Sequence, residues 1–207
     1  MAHSPYILLP SKDHAHTFQS TPRFFFRLDG VLANFTTLAA ELLDDLKLPF
    51  PEDGVFEEDL LRAHFADDVL FDVCHGRAFW ERVQTYPWSW MMFERAFTLS
   101  HEQVYFIGKA YKSDSNSWGG KAAWMHKNFG FYGIDHLFVT LNSANMCMLN
   151  NGKNDILVTA LKVEAEEWCL EGGSALYFRE LDIRHAGTAQ EVAKRLIAMN
   201  EIVELVK

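Results

Sequence analysis

Cysteine is scarce in this chain. Cys74, Cys147 and Cys169 are the only three in 207 residues, and none forms a Cys-x-x-Cys pair. That excludes a disulfide framework or a thiolate zinc ribbon, and free thiols in a reducing compartment are expected. Long apolar runs are missing as well. No stretch approaches the roughly 20 residues that span a bilayer, and no basic start leads into an apolar run. A cytoplasmic protein without membrane contact is the expectation. Basic residues are outnumbered, 19 Lys and Arg against 28 Asp and Glu, for a net charge of −9. An acidic surface of this kind excludes broad nucleic-acid binding but says little about one local pocket. No Walker loop, Gly-x-Gly-x-x-Gly fingerprint, Ser-His-Asp set, internal repeat or low-complexity block is present.

The chain does hold enough apolar material, 49% of its residues, for a sizeable core in one domain or a core with an insertion. Its organising stretch is Phe24-Phe25-Phe26-Arg27-Leu28-Asp29-Gly30-Val31-Leu32-Ala33-Asn34-Phe35. Three aromatics end a buried strand, and Gly30 offers unusual backbone angles where the strand turns into a helix. Phe35, Leu38, Ala39, Leu42, Leu43 and Leu46 then recur at helical spacing. Further strands are expected at 103–107, 136–140, 155–158 and 174–178. A helix over 121–129 ends at Gly130, another closes at Gly172-Gly173, and a C-terminal helix carries Val192, Leu196, Met199, Val203 and Val206. Tyr6-Ile7-Leu8-Leu9 reads as an extended arm or an extra edge strand. Strands separated by helices predict an α/β fold, a doubly wound and mainly parallel sheet. Residues 1–22 form an N-terminal arm, 23–35 and 98–207 the core, and 36–97 an inserted helical cap.

The organising stretch resembles the first motif of the haloacid dehalogenase (HAD) superfamily, in particular its 5'-nucleotidase or deoxyribonucleotidase-like branch. That motif runs from a hydrophobic strand to Asp, any residue, then Asp-Gly-Val-Leu-Ala-Asp-Phe. Phe79-Trp80-Glu81-Arg82-Val83-Gln84-Thr85-Tyr86-Pro87-Trp88 is similar to the segment that re-enters the core in that branch. Gly120-Lys121-Ala122-Ala123-Trp124-Met125 through Gly130 resembles its Lys-x-x-Trp helix, and Ile156-Leu157-Val158 with Trp168 and Gly172-Gly173 its closing motif. The resemblance covers residues 23 to 180. It implies a HAD-like Rossmannoid core with the cap in the place given above, and in active members a Mg²⁺-dependent phosphoric monoester hydrolase.

The chain departs from that pattern at the chemistry. Arg27 stands where the family's nucleophilic Asp belongs, and a guanidinium has no lone pair with which to attack phosphorus. Asp29 occupies the general acid/base position and is expected to be idle. Gly108-Lys109 replaces the phosphate-holding Thr or Ser, residues 141–152 contain no Lys, and Thr159-Ala160 replaces the Asp pair that holds Mg²⁺. No metal site and no cofactor are expected, Mg²⁺ entering only if the family activity survives. A catalytically degenerate protein follows from these substitutions. Its partner would be a nucleotide or another phosphate-bearing small molecule, a protein, or a second copy of itself.

Two arrangements remain open at the level of sequence. In one, Arg27, Gly108, Lys109, Lys121 and Thr159 converge at the carboxyl edge of the sheet and hold an anion. Phe79, Tyr86 and Trp88 would then supply base-stacking faces. In the other, Arg27 and Asp29 satisfy each other, the cleft is closed, and the aromatics are ordinary core.

Overall fold

A computed structural model describes residues 6–10, 21–47, 76–109, 115–140, 143–178 and 188–206. In chain order its elements begin with β1 (Ile7–Leu8), β2 (Arg23–Arg27), α1 (Phe35–Asp45), α2 (Gly76–Arg82), α3 (Ser89–Leu99) and β3 (Val104–Lys109). They continue with α4 (Ser115–Asp135), β4 (Leu137–Thr140), α5 (Ser143–Cys147), β5 (Asp155–Thr159), α6 (Lys162–Leu170), β6 (Ser174–Tyr177) and α7 (Ala189–Val206).

The three phenylalanines of β2 decide the centre. Their exposures are 0, 2 and 0%, so this strand needs cover on both faces and a neighbour on each edge. β3 pairs with it in parallel on one side, with Phe24 opposite Val104, and β5 on the other, with Phe24 opposite Ile156. The sheet has the order β1-β6-β5-β2-β3-β4, and only β1 runs antiparallel, against β6. The expected extra edge strand is therefore present. At the amino end of β2, Arg23 Nε donates to Asp155 Oδ1 at 2.6 Å and pins the register of the two central strands.

Side chains alternate along a strand, and the core divides accordingly. Phe24 and Phe26 join Val104, Phe106, Ile156 and Val158 in a large cluster covered by Leu38 of α1, Trp80 of α2, Met92 of α3, Trp124 of α4 and Met199 of α7. Phe25 faces the other way, with Ile107, Leu157 and Ala175, under Met146 of α5 and Trp168 of α6. Burying each such phenylalanine contributes about 1.5–3 kcal/mol. The buried indoles are satisfied by backbone carbonyls: Trp88 Nε1 donates to Val31 O at 2.8 Å, Trp124 Nε1 to Val83 O at 2.9 Å, and Trp168 Nε1 to Asp155 O at 3.0 Å.

The helices follow their apolar spacing. α1 starts behind Asn34, whose Oδ1 accepts from Thr37 N at 3.3 Å, and it buries Phe35, Leu38, Ala39 and Leu43. One expectation needs correction. The helix placed over 121–129 begins earlier, at Ser115; it ends at Gly130 as expected, where φ of 64° and ψ of −153° are non-helical, and a second short helix follows to Asp135. Beyond that break Tyr132 packs on Phe93, Phe97 and Phe106, and this contact holds the second piece in place. The cap expected over 36–97 includes residues 48–75, which lie outside the described residues. Of the helices within that span, α3 packs directly on the sheet, Phe93 stacking on Phe106 with ring centroids 5.9 Å apart. No helix among the described residues is long and apolar enough to cross a membrane.

Candidate functional site

After β2 the chain passes to α1 on the first face of the sheet, whereas after β5 it passes to α6 on the second. Adjacent parallel strands whose connections leave to opposite sides open a crevice at their carboxyl ends, where open α/β folds bind ligands. Here that crevice lies between Arg27 and Thr159, the last residues of β2 and β5.

Protein fills it. The Arg27 Nε donates to Glu164 Oε2 at 2.9 Å, and both side chains are almost wholly buried. The same carboxylate oxygen accepts from Thr159 Oγ1 at 2.8 Å, while Thr159 Oγ1 accepts from Leu161 N at 3.1 Å. Glu164 is the third residue of α6, where the helix dipole favours a negative charge. The chain after β5 thus makes one turn and returns a carboxylate to the end of β2.

A second buried pair lies alongside. Lys121, 1% exposed on α4, donates through Nζ to Asp29 Oδ2 at 2.7 Å and to the Lys109 carbonyl at 2.6 Å. Its ammonium also sits 4.7 Å from the centre of the Trp80 ring, a cation–π contact. Asp29 is held on a tight loop in which Leu28 O accepts from Val31 N, Leu32 N and Ala33 N, with Gly30 at φ 76°. The other Asp29 oxygen, Oδ1, is buried without a hydrogen-bond partner.

The residues expected at this edge are therefore brought together, with pairings that differ from those anticipated. Arg27 does not satisfy Asp29; Glu164 takes Arg27, and Lys121 takes Asp29. Gly108 does not open the backbone to a ligand. A side chain there would meet Leu28 Cδ1 at 3.3 Å and Lys121 Cδ at 3.4 Å, so its space belongs to the second ion pair. Lys109 contributes its carbonyl to Lys121 and keeps a half-buried side chain. Thr159 is bound to Glu164 rather than turned toward solvent.

The aromatic wall also needs correction. Phe79, Tyr86 and Trp88 are 3, 2 and 1% exposed and belong to the main core. Tyr86 stacks on Trp88 at 4.5 Å, the Arg195 guanidinium lies 4.0 Å from the Trp88 ring centre, and Phe79 packs edge-on against Phe35 and Trp80. Rings already packed this closely offer a base no face.

Glu164 is the residue that sequence reasoning missed. A signal for it was present: Arg27 at the end of a buried strand requires a carboxylate, and Glu164 is the first acid after the neighbouring strand end. The donor set does not fit Mg²⁺, which prefers near-octahedral oxygen coordination rich in carboxylate and water. Glu164 Oε2 accepts from Arg27, Asp29 Oδ2 accepts from Lys121, and Asp29 Oδ1 is buried without a hydrogen-bond partner among the described residues. Among the described residues no group of three or more His, Cys, Asp or Glu is placed to hold a metal ion.

No family model matches this chain, and no curated protein matches its sequence. Solved structures do resemble it in outline. A HAD-superfamily hydrolase from Ehrlichia chaffeensis aligns over 86% of this chain and 99% of its own, with 10% identity and a TM-score of 0.44. A phosphonoacetaldehyde hydrolase-like protein from Oleispira antarctica aligns over 90% of this chain and 86% of its own, with 10% identity and a TM-score of 0.48. At that level the similarity concerns the course of the chain and not any residue of the crevice.

Proposed function

We propose that this chain is a catalytically degenerate 5'-nucleotidase-like protein of the HAD superfamily, acting by binding rather than by hydrolysis. The order of motifs from residue 24 to residue 173 supports the family. One observation carries the loss of chemistry: Arg27 Nε lies 2.9 Å from Glu164 Oε2 at the strand end where phosphoryl transfer would need an attacking carboxylate. Covalent phosphorylation requires a nucleophile with an available lone pair, and the guanidinium offers none. Asp29 keeps the position of a general acid/base, but its Oδ2 already accepts a hydrogen bond from Lys121 Nζ at 2.7 Å.

The two ion pairs also bear on what is bound. A nucleotide phosphate in the crevice would have to displace Glu164 from Arg27 or Asp29 from Lys121, and breaking such buried pairs costs about 3–5 kcal/mol. The two buried ion pairs therefore favour a protein partner met elsewhere on the surface over an anion in the crevice. The test is hydrolysis of nucleoside monophosphates with Mg²⁺ by the purified full chain. Release of phosphate at the buffer rate is expected. Turnover above it that disappears in Asp29→Asn would overturn the proposal.

A further inference from the structure

α6 begins at the crevice with Glu164 and runs about 10 Å, at 1.5 Å per residue, to a second feature on the outer side of the sheet. There an open groove of about 360 Å³ is lined by Cys147, Met148, Glu167, Leu170 and Glu171. The inner side of α6 is already spent on the core through Ala165, Trp168 and Cys169. Its outer side nonetheless carries apolar groups: Leu170 is 68% exposed and Val163 55%, and Met148 across the groove is 80% exposed. Val163, Glu167 and Leu170 follow the i, i+4, i+7 spacing of a single helical face.

Among the described residues that line this groove, the charged ones are both acidic. Glu167 and Glu171 line it, and Lys162, the nearest cation on the helix, is paired with Glu166 at 3.3 Å. Cys147 reports the same field. Burial first, and then the negative charges of Glu167, Glu171 and Glu164, push its thiol up to about 11. Exposed apolar side chains between carboxylates are complementary to an apolar residue flanked by cations, and methionine adapts its shape to such a guest.

We propose that the groove between α5 and α6 docks a segment of a partner protein that inserts an apolar side chain flanked by Lys or Arg. A second copy of this chain is the poorer occupant, because each copy brings a net charge of −9 to an acidic groove. The inference builds on the reading of the chain as a binding protein. Its failure is distinguishable, because the hydrolysis assay reads the crevice and peptide binding reads the groove.

The test uses the full chain and a fluorescein-labelled amphipathic helical peptide of Leu and Lys. Controls are its Glu-for-Lys and Ser-for-Leu counterparts, followed by fluorescence anisotropy at low and high salt. The Leu/Lys peptide is expected to bind at least about tenfold more tightly than either control and to weaken with salt. Glu167→Gln combined with Glu171→Gln, and separately Leu170→Ser, should each weaken it about tenfold while the circular dichroism spectrum stays unchanged. In methyl NMR the Met148 resonance should move during the titration while that of buried Met199 stays still. No binding of the Leu/Lys peptide, equal binding of the Glu peptide, or variants that bind as well as the parent would overturn the proposal. So would a dimer, seen by sedimentation, that Leu170→Ser dissolves, since the groove would then belong to a second copy.

Discussion

Arg27 and Glu164, 137 positions apart in sequence, meet at 2.9 Å across the end of the central sheet, each with a side chain no more than 3% exposed. The pair joins the last residue of β2 to the first turn of α6 and occupies the crevice that the topology creates. A buried ion pair of this kind contributes less through its own attraction than its loss would cost, because the remaining partner is stranded away from water.

Removing one partner is thus expected to be worse than removing both. Glu164→Ala should lower stability by about 3–5 kcal/mol, since Arg27 and Thr159 each lose a buried carboxylate acceptor. Arg27→Met combined with Glu164→Leu should lose much less than the sum of the single changes. Urea denaturation of the set, analysed as a double-mutant cycle, gives the coupling. Additive losses would mean that the two side chains act independently.

Under the proposed reading, placing a carboxylate at the strand end should not by itself create a phosphatase. Arg27→Asp sets an acid against Glu164 within the core and still leaves Thr159-Ala160 where a Mg²⁺-binding pair would be needed. The expected outcome is a loss of about 3–5 kcal/mol with hydrolysis unchanged from buffer. Mg²⁺-dependent turnover in this variant would show that the other departures from the family pattern are tolerated.

Glycines on different elements should respond in opposite directions. A Cβ on Gly173 would lie 2.2 Å from Trp168 Nε1 and 2.5 Å from Asn150 Nδ2, and both atoms are already in hydrogen bonds. Gly173→Ala should lower stability by about 2–3 kcal/mol through overpacking. Gly119, exposed on α4, meets nothing within 4 Å, so Gly119→Ala should raise stability by about 0.5–1 kcal/mol through helix propensity. Thermal unfolding of the two variants side by side checks both signs.

Acid should act on α7. Hydrogen bonding from Lys194 first, with Arg195 adding to it against the effect of burial, holds the Glu191 carboxyl below the usual carboxylate range. The folded state then binds this proton at lower pH than the unfolded chain does. Its contribution is complete above the ordinary carboxylate pKa of about 4.3 and falls away as pH drops through the folded value. Glu191→Gln should therefore show a shallower loss of urea midpoint between neutral pH and pH 3 than the parent. Identical slopes would place the acid sensitivity elsewhere.

Local pattern alone made most of the architecture legible. The uninterrupted Phe24-Phe25-Phe26 run needed burial on both faces, and strands alternating with helices left few alternatives to a parallel sheet. Gly172 takes the positive φ of 94° expected where a helix closes. Gly130 likewise ends its helix with a φ of 64°, and what the pattern did not show is that packing beyond it starts a second one.

The identity of the charges at the crevice was likewise written in the chain, and it is what the proposed loss of hydrolysis rests on. Their pairing was decided only in three dimensions. Arg27 is two residues from Asp29, a spacing that a continuing strand would put on one face, but β2 ends at Arg27 and the tight loop at Gly30 redirects the chain. Asp29 turns instead toward Lys121 on α4. Folding alone brings Glu164 beneath Arg27 and encloses Tyr86 and Trp88, since contacts between distant segments depend on how the layers close rather than on spacing along any one of them.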